Sequence, residues 1–220
     1  MNKGSLKKAV GLVAAQLVPP NIIVGLGSGS TASYFIQALA ERVRLEKLPI
    51  KGVASSQKSH TLASSLGIQM IPNEDVTYTD LTIDGADEID PQKCLIKGGG
   101  GYLVREKILA TISHEMIVIV DESKLVKKLG SFGLPVEILP FCYHATIQKI
   151  ASYGFQISLR EYFTSDNGNF IVDLHGNFDD LINTEKQLSA IPGVVDTGLF
   201  LGIAGRVIIG RADGSINILK

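Results

Sequence analysis

The chain has 220 residues, of which 45% are hydrophobic and 20% are charged, and its formal net charge is -1. These values are near the averages for globular proteins and predict a well-packed core, in one large domain or in a domain that carries a smaller inserted one. A broad surface for nucleic acid or membrane would need clustered excess lysine and arginine, so the composition argues against both partners.

The N-terminal segment and the cysteines both favour a cytoplasmic protein. Residues 9–15 are apolar and follow several lysines, as in a signal peptide, but Gln16 and the proline pair at 19–20 come early, so an amphipathic first helix is the better prediction. No apolar run approaches the roughly 20 residues that span a bilayer. Cys94 and Cys142 lack the spacing of metal ligands and are expected to be small buried residues in a reducing compartment.

The first part of the chain alternates between predicted strands and helices. The predicted helices are 4–17, 31–44, 59–66 and 104–111, and the predicted strands are 22–26, 50–54, 81–84 and 116–120. This alternation predicts parallel βαβ units, that is, a Rossmann-like, mostly parallel sheet with helices on both faces. Ligands bind such sheets at the carboxyl ends of the strands.

The pattern changes near Gly130. The predicted elements beyond it are the strands 136–139, 155–159, 170–174 and 194–201 and the helices 143–153 and 180–190. The order β-α-β-β-α-β predicts a ferredoxin-like (split βαβ) α+β domain, inserted as residues 130–203. A last hairpin, 206–219, is expected to return to the first sheet, so that residues 1–129 and 204–220 form the Rossmann-like domain.

The turn Gly25–Thr31 joins the first strand to the following helix. Glycine permits positive φ and close approach of backbone N–H groups, and a helix N-terminus attracts an anion. The hydroxyls of Ser28, Ser30 and Thr31 could add donors to a phosphate. A tight turn with an N-cap and no ligand is the alternative.

The two common nucleotide motifs fit this turn badly. A dinucleotide fingerprint needs glycine where Ser30 stands, and a Walker A loop needs a lysine that the turn lacks. A monophosphate on a small metabolite is therefore the better prediction, with Lys7, Lys8 and Lys124 as candidate counter-charges.

Three acids, Asp84, Asp87 and Glu88, follow the predicted strand 81–84. They could be ligands of a hard cation, or solvated acids of a surface turn. Against the surface turn, Asp84 directly follows an apolar strand, where a buried carboxylate requires a partner. The third interpretation is general acid–base catalysis.

Acid–base catalysis is favoured by the residues that come next. Lys97 precedes Gly98–Gly101, whose N–H groups can line up on an oxyanion, and Glu106 opens a predicted helix. A carboxylate in a closed, partly apolar site has a raised proton affinity and can act as a base. By itself, Glu106 could equally be an ordinary first-turn acid stabilised by the helix dipole. We expect Glu106 and Lys97 to face each other.

At these residues the chain resembles ribose-5-phosphate isomerase of type A over essentially its whole length. The resemblance rests on motifs that are weak singly and specific in this order: Gly25–Thr31, Asp84–Glu88, Lys97–Gly100, Arg105–Lys107, Val120–Lys124, Pro135–Glu137 and Asp166–Asn169. It implies a metal-independent and cofactor-free interconversion of ribose 5-phosphate and ribulose 5-phosphate in the pentose phosphate pathway. It also implies a cytoplasmic homodimer or homotetramer.

The resemblance further implies a role for each matching residue. Glu106 would move a proton between C2 and C1, and Asp84 would handle hydroxyl protons. With Lys97, Asp84 would also open the sugar ring and balance the enediolate charge. The residues implied to bind substrate are Ser28, Gly29, Ser30, Thr31, Asp84, Gly85, Ala86, Asp87, Lys97, Gly98, Gly99, Gly100, Lys124 and Lys7.

The chain departs from the common family pattern at two positions. Ser28 stands where the family commonly has threonine, and Gly101-Tyr102 stand where it commonly has small residues, which bears on the shape of that loop. Two other functions fit the sequence less well. A sugar-phosphate sensor would need a DNA-binding module, for which the segment ahead of the first strand is short. A nucleotide-dependent oxidoreductase is disfavoured by the glycine spacing.

Overall fold

The computed structural model describes residues 3–220. The chain divides into two compact units. The first unit comprises the described residues up to Ala86, with Arg105–Lys124 and Ile203–Lys220, and the second comprises Asp87–Val104 and Leu125–Gly202. The predicted limits of the inserted domain, 130–203, stay a prediction.

The secondary structure consists of α-helices and short strands. The helices are α1 Lys3–Gln16, α2 Gly29–Glu46, α3 Gln57–Ser65, α4 Leu103–Thr111, α5 Tyr143–Ala151 and α6 Leu181–Ser189. The strands are β1 Ile22–Leu26, β2 Ile50–Ala54, β3 Thr79–Asp84, β4 Glu88–Ile89, β5 Leu95–Ile96, β6 Ser113–Asp121, β7 Leu134–Ile138, β8 Gln156–Leu159, β9 Phe170–His175, β10 Val194–Thr197, β11 Leu199–Phe200, β12 Val207–Gly210 and β13 Ile216–Leu219. No helix among residues 3–220 has the length and apolar content needed to cross a membrane.

The first unit contains a six-stranded sheet in the order β13-β12-β6-β3-β1-β2. All neighbouring strands are parallel except β13, which pairs antiparallel with β12. The predicted Rossmann-like class and the return of the last hairpin to this sheet are therefore confirmed. Strands β1 and β12 are nearly continuous apolar runs, and β6 contains one over residues 116–120, because helices cover a parallel sheet. The carboxyl ends of β1, β3 and β6 lie side by side, at Leu26, Asp84 and Asp121.

Helix α1 packs closely on α2 in the core of this unit. Gly11 makes the approach possible, because a Cβ at this position would lie 2.8 Å from the backbone nitrogen of Phe35. Val10, Phe35, Ile36 and Ile83 belong to the same buried apolar cluster. The close packing of the two helices brings the N-terminal part of α1 to the start of α2.

The second unit contains an antiparallel four-stranded sheet in the order β10-β7-β9-β8. With α5 and α6 the chain order is β7-α5-β8-β9-α6-β10, so the strands are arranged 4-1-3-2 and the ferredoxin-like prediction is confirmed. Glu137 of β7 is fully buried, and its Oε1 accepts hydrogen bonds from Ser165, Asn167 and Asn169. The motifs around Glu137 and Asn169 therefore stabilise the turn that leads into β9.

The prediction of a single strand over residues 194–201 is wrong, because the chain passes from one sheet to another within this segment. Residues up to Thr197 belong to β10, whereas β11 pairs with β5 in a separate sheet of the order β11-β5-β4. Gly198 stands at the change: its N–H donates to the carbonyl of Pro135 at 2.7 Å, and its carbonyl accepts from the N–H of Lys97 at 2.9 Å. An apolar run does not reveal which partner each half will pair with.

The two cysteines differ from the prediction that both are buried. Cys142 is exposed and stands at the N-cap of α5 with a positive φ of 50°. Cys94 is half-buried, and burial raises the pKa of its thiol, with the Asp90 charge adding to the effect. At neutral pH the protonated thiol therefore predominates at Cys94.

A pH-dependent ion pair joins β6 to the segment before β12. Arg206 donates from Nε and Nη2 to the two carboxylate oxygens of Glu115 at 2.6 and 2.8 Å. This hydrogen bonding, which outweighs the opposing effect of burial, holds the pKa of Glu115 below its usual value. A lowered folded-state pKa stabilises the fold above the unfolded-state pKa, and the stabilisation is lost as pH falls through the folded-state pKa.

We expect Arg206→Met to lower the free energy of unfolding near pH 7 by about 1 kcal/mol or less, since the pair is partly exposed. The difference should vanish as the pH falls through the lowered folded-state pKa of Glu115, because the carboxylate is then protonated in both proteins. Urea unfolding across this pH range measures the difference. A loss that stays constant down to the lowest pH would assign the effect to packing.

Candidate active site

Two glycines, one in β1 and one in the turn that follows it, are required by the side chains of β3. A Cβ on Gly25 would overlap the hydroxyl of Thr82, and a Cβ on Gly27 would overlap the carboxylate of Asp84. Gly29 has a different requirement: the space around it is open, but its φ is 91°, which side chains rarely tolerate. The turn therefore lies directly against the end of β3.

Asp84 links this turn to the loop that follows β3. It is the last residue of β3 and only 1% exposed. Its Oδ1 accepts hydrogen bonds from the backbone N–H groups of Ser28 at 2.9 Å and Gly85 at 2.7 Å. Such charge-assisted bonds compensate for the removal of the carboxylate from water. The expectation that a buried Asp84 needs partners is confirmed.

The hydroxyl of Ser28 lies in a buried cluster of serines. Its Oγ donates to Ser56 Oγ at 2.7 Å and is 2.8 Å from Ser55 Oγ. Ser56 caps α3 by accepting from the N–H of Ser59, and Ser59 Oγ donates to the Gly27 carbonyl at 2.7 Å. The cluster stabilises the turn, and a direct contact between Ser28 and phosphate stays a prediction. Ser55 and Ser56 follow the carboxyl end of β2, a position that could have signalled them from sequence.

The start of α2 offers donors to an anion. The helix begins at Gly29, two residues before its predicted start, so Gly29, Ser30 and Thr31 form its first turn. Gly29 and Ser30 are exposed, and Lys7 of α1 donates from Nζ to Ser30 Oγ at 2.8 Å. The unsatisfied N–H groups, the helix dipole and the ammonium together favour a phosphate here.

Lys124 is held at the carboxyl end of β6. It ends a short 3-10 turn, Glu122–Lys124, and is half-buried. Asp121, the last residue of β6, is 4% exposed and accepts hydrogen bonds from the backbone N–H and the hydroxyl of Ser123. Asp121 thus shapes the turn that carries Lys124, next to the strand that carries Asp84.

Glu106 lies in the first turn of α4 and is 5% exposed. An ordinary first-turn acid is solvated, and α4 does have an exposed side, on which Ile108 is 54% exposed. Burying a carboxylate is unfavourable unless the surroundings compensate for the lost water. The burial of Glu106 therefore favours a functional carboxylate over a solvated helix acid.

In the second unit, Asp87 is bound to the glycine loop that follows β5. The N–H of Asp87 donates to the Ile96 carbonyl at 2.8 Å, and its Oδ2 accepts from the N–H of Gly99 at 2.7 Å. This pair of bonds connects the two sides of the β4–β5 hairpin. Asp87 and the Gly98–Gly99 peptide consequently form one rigid arrangement.

The glycine loop is a tight turn whose shape depends on its lack of side chains. Gly98 and Gly101 have φ of 102° and 78°, and the Gly101 N–H donates to the Gly98 carbonyl at 2.8 Å. A Cβ on Gly100 would lie 2.8 Å from the ring of Tyr102, and a Cβ on Gly101 would overlap the ring of Phe163. The departure at Gly101-Tyr102 is thus accommodated by ring packing on both glycines.

Lys97 is a buried lysine directly after β5. It is 2% exposed, and its Nζ lies 5.4 Å from the centroid of the buried Phe200 ring, within the range of a cation–π interaction. Lysine is almost never buried without compensation. The burial of an ammonium beside the glycine loop suits a group that must meet negative charge without competition from water.

Glu88 is occupied by the backbone of its own unit. Its two oxygens accept from the N–H groups of Gly130 at 2.6 Å and Phe132 at 2.7 Å, and it is 3% exposed. The hypothesis that Asp84, Asp87 and Glu88 share a metal receives no support from this arrangement. Within the part of the chain that the structure describes, no three His, Cys, Asp or Glu side chains are grouped as a metal site.

Each unit thus contains part of the predicted set of site residues. The first holds Lys7, the start of α2, Asp84, Gly85, Ala86, Glu106 and Lys124, and the second holds Asp87, Lys97 and the glycines 98–100. The expected meeting of Glu106 and Lys97 concerns residues of different units and stays a prediction, as do the roles of the individual residues.

Comparison with known proteins leads to one family by sequence and by structure. A family model described as ribose 5-phosphate isomerase A (phosphoriboisomerase A) matches residues 51–214. A relative with that name from Parvibaculum lavamentivorans is 46% identical, over 98% of this chain and 98% of its own length. The structure of ribose 5-phosphate isomerase A from Methanocaldococcus jannaschii superposes with a TM-score of 0.95 at 38% identity and covers 100% of both chains. A second structure, at 35% identity and a TM-score of 0.95, is a D-ribose-5-phosphate isomerase in complex with phospho-erythronic acid.

Proposed function

The chain belongs to the ribose 5-phosphate isomerase A family and interconverts ribose 5-phosphate and ribulose 5-phosphate, and we propose that it does so by acid–base proton transfer through an enediolate. The observation that carries the proposal is the burial of two charged side chains, the carboxylate of Glu106 in α4 and the ammonium of Lys97 after β5. The pathway is the non-oxidative pentose phosphate pathway, as the reaction implies.

Glu106 is the proposed base. After the furanose ring opens, its carboxylate removes the proton from the carbon next to the carbonyl and returns it to the neighbouring carbon. One carboxylate serves both steps because the two carbons are adjacent. A positioned base contributes roughly 10²–10⁴ in rate, or about 3–5 kcal/mol.

Lys97 and the backbone N–H groups of the glycine loop are the groups proposed to stabilise the negative charge that develops on the substrate. Deprotonation places negative charge on the carbonyl oxygen, and preorganised donors aimed at it lower the barrier by about 3–4 kcal/mol each. Asp84 and Asp87, both held by backbone N–H groups, are proposed to accept hydrogen bonds from sugar hydroxyls. Asp84 is the proposed carrier of hydroxyl protons, both in ring opening and in the transfer of the O2 proton to O1 that accompanies the transfer between the carbons.

The phosphate is proposed to bind at the start of α2. Lys7 on Ser30 and the free N–H groups of the first turn supply the donors, and Lys124 supplies a second ammonium. The complex of a related isomerase with phospho-erythronic acid, a phosphorylated sugar acid, supports recognition of a phosphate and of an oxyanion by the same protein. The binding energy of the phosphate positions the sugar over the base.

Isotope exchange tests the proposed reaction. In D₂O, the protein should catalyse the incorporation of deuterium into the sugars, at C2 of ribose 5-phosphate and at C1 of ribulose 5-phosphate. The reason is that the base exchanges its proton with solvent while the enediolate exists. NMR of the sugar carbons measures the incorporation. Saturable binding without either isomerisation or exchange would identify a sensor instead of an enzyme.

We further propose that the reaction requires no metal ion. Activity should be unchanged after exhaustive dialysis against EDTA, since Lys97 and backbone N–H groups supply the positive charge that a metal would otherwise provide. A coupled assay before and after dialysis measures this. A loss of activity that added divalent cations reverse would support metal-assisted isomerisation.

The resemblance also supports a homodimer or homotetramer in the cytoplasm, which we include in the proposal. Sedimentation equilibrium of the purified chain at several concentrations distinguishes these assemblies from a monomer.

A further inference from the structure

Arg160 holds the backbone of the glycine loop within the second unit. It follows β8 directly, and its Nη1 donates to the carbonyl oxygens of Gly98 and Gly99, both at 3.1 Å. Its Nε and Nη2 donate to the two carboxylate oxygens of Asp173 on β9, at 2.7 and 2.6 Å. Because the side chains of Arg160 and Asp173 are only 17% and 22% exposed, this bidentate pair fixes the guanidinium in place.

The two hydrogen bonds determine where the loop's N–H groups point. In a trans peptide the C=O and N–H point in opposite directions. The carbonyl of Gly98 shares its peptide with the N–H of Gly99, and the carbonyl of Gly99 shares its peptide with the N–H of Gly100. Since both carbonyls point toward Arg160, both N–H groups point away from it, and the N–H of Gly99 accordingly donates to Asp87.

Glycine peptides need such an external constraint. A run of glycines has more accessible backbone conformations than any other sequence, so the loop has little preference of its own for one peptide orientation. The guanidinium supplies the preference together with the hydrogen bond from the Gly101 N–H to the Gly98 carbonyl. Phe163 adds to it, because its ring lies 6.0 Å from the Arg160 guanidinium and packs against Gly101. The charge on Arg160 also polarises the Gly98–Gly99 peptide and strengthens the hydrogen bond to Asp87.

We propose that Arg160, fixed by Asp173, is a positioning residue for the isomerisation. It orients the carboxylate of Asp87 through the Gly98–Gly99 peptide and turns the N–H of Gly100 toward the sugar. Arg160 itself does not touch the substrate. The inference rests on the proposed function, since it assigns Arg160 to the residues that the proposed reaction uses.

Arg160→Met tests the proposal, with Arg206→Met as the matched control. Both substitutions remove an arginine that pairs with a carboxylate through two hydrogen bonds, but Arg206 binds Glu115 within the first unit, whereas Arg160 also binds the glycine loop. We expect kcat of Arg160→Met to fall about tenfold or more, with KM changed less than kcat, and the control to keep normal kinetics. Arg160→Lys should not restore kcat, because lysine cannot bind Asp173 and two carbonyls with one planar group.

A double-mutant cycle separates positioning from general stability. If Arg160 acts through Asp87, the fold-loss in kcat/KM of the double variant Arg160→Met/Asp87→Asn should be smaller than the product of the two single fold-losses. A double-variant loss equal to that product, or normal kinetics of Arg160→Met, would overturn the proposal. Should Arg160→Met fail to fold, Asp173→Asn keeps the guanidinium and should give a smaller loss in kcat with the same coupling to Asp87. A wild-type protein without isotope exchange would refute the proposed function, whereas normal exchange with unaffected Arg160 variants would refute only this inference.

Discussion

Glu106→Gln should lower kcat at least about 100-fold while leaving the fold and sugar-phosphate binding intact. Glutamine has nearly the same shape as glutamate but no basic oxygen, so only the proton transfer is removed. Stopped assays in both directions of the reaction measure the loss. Deuterium incorporation from D₂O should fall in parallel, because the same group exchanges its proton with solvent.

Glu41→Gln is the matched control for this prediction. Glu41 lies on the exposed side of α2 and has no proposed role, so the substitution should leave kcat within about twofold of wild type. Thermal unfolding of both variants checks that the fold survives. Near-normal turnover of Glu106→Gln in a folded protein would remove Glu106 from its role as base.

Lys97→Met should reduce kcat by a factor of about 10²–10³. Methionine occupies a similar volume in the space beside Phe200 but offers no charge to the proposed enediolate, so we expect the barrier to rise while the phosphate still binds at its proposed site at the start of α2. KM should therefore change much less than kcat. Steady-state kinetics with ribose 5-phosphate, together with a melting curve, separate this effect from a loss of folding.

Lys186→Met provides the control for the loss of a lysine. Lys186 is exposed on α6 in the same unit, so its removal should affect neither kcat nor stability measurably. If Lys97→Met retained normal kcat, the ammonium would have no part in stabilising the enediolate. The negative charge of the enediolate would then have to be stabilised by the backbone N–H groups of the glycine loop alone.

Local patterns predicted most of the secondary structure because they report dihedral preference and burial. The strand Ile22–Leu26 and the strand Ile50–Ala54 have the predicted bounds, since short apolar runs between turns have few alternative structures. The ferredoxin-like order followed from the chain order of strands and helices. The wrong strand, 194–201, failed because its two halves have the same apolar character and pair with different sheets.

The candidate site was predictable as a set of residues but not as a set of contacts. The order of Asp84, Lys97 and Glu106 around a glycine run already indicated acid–base chemistry, because few structural roles combine those groups. That Ser28 turns its hydroxyl toward Ser55 and Ser56, and that Glu88 binds the backbone near Gly130, depends on contacts between distant parts of the chain. No local periodicity encodes such contacts.

The sequence by itself determined the kinds of chemical group, their order, and the family to which they belong. The tertiary structure decided which of these groups are withdrawn from water and what holds them, as with Asp84 between two backbone N–H groups and the glycine loop beneath Arg160. The physical reason is that periodicity reports only on neighbours within a few residues. Arg160 reaches Gly98 across 62 positions, and only the closure of the intervening chain by its own packing brings the two together.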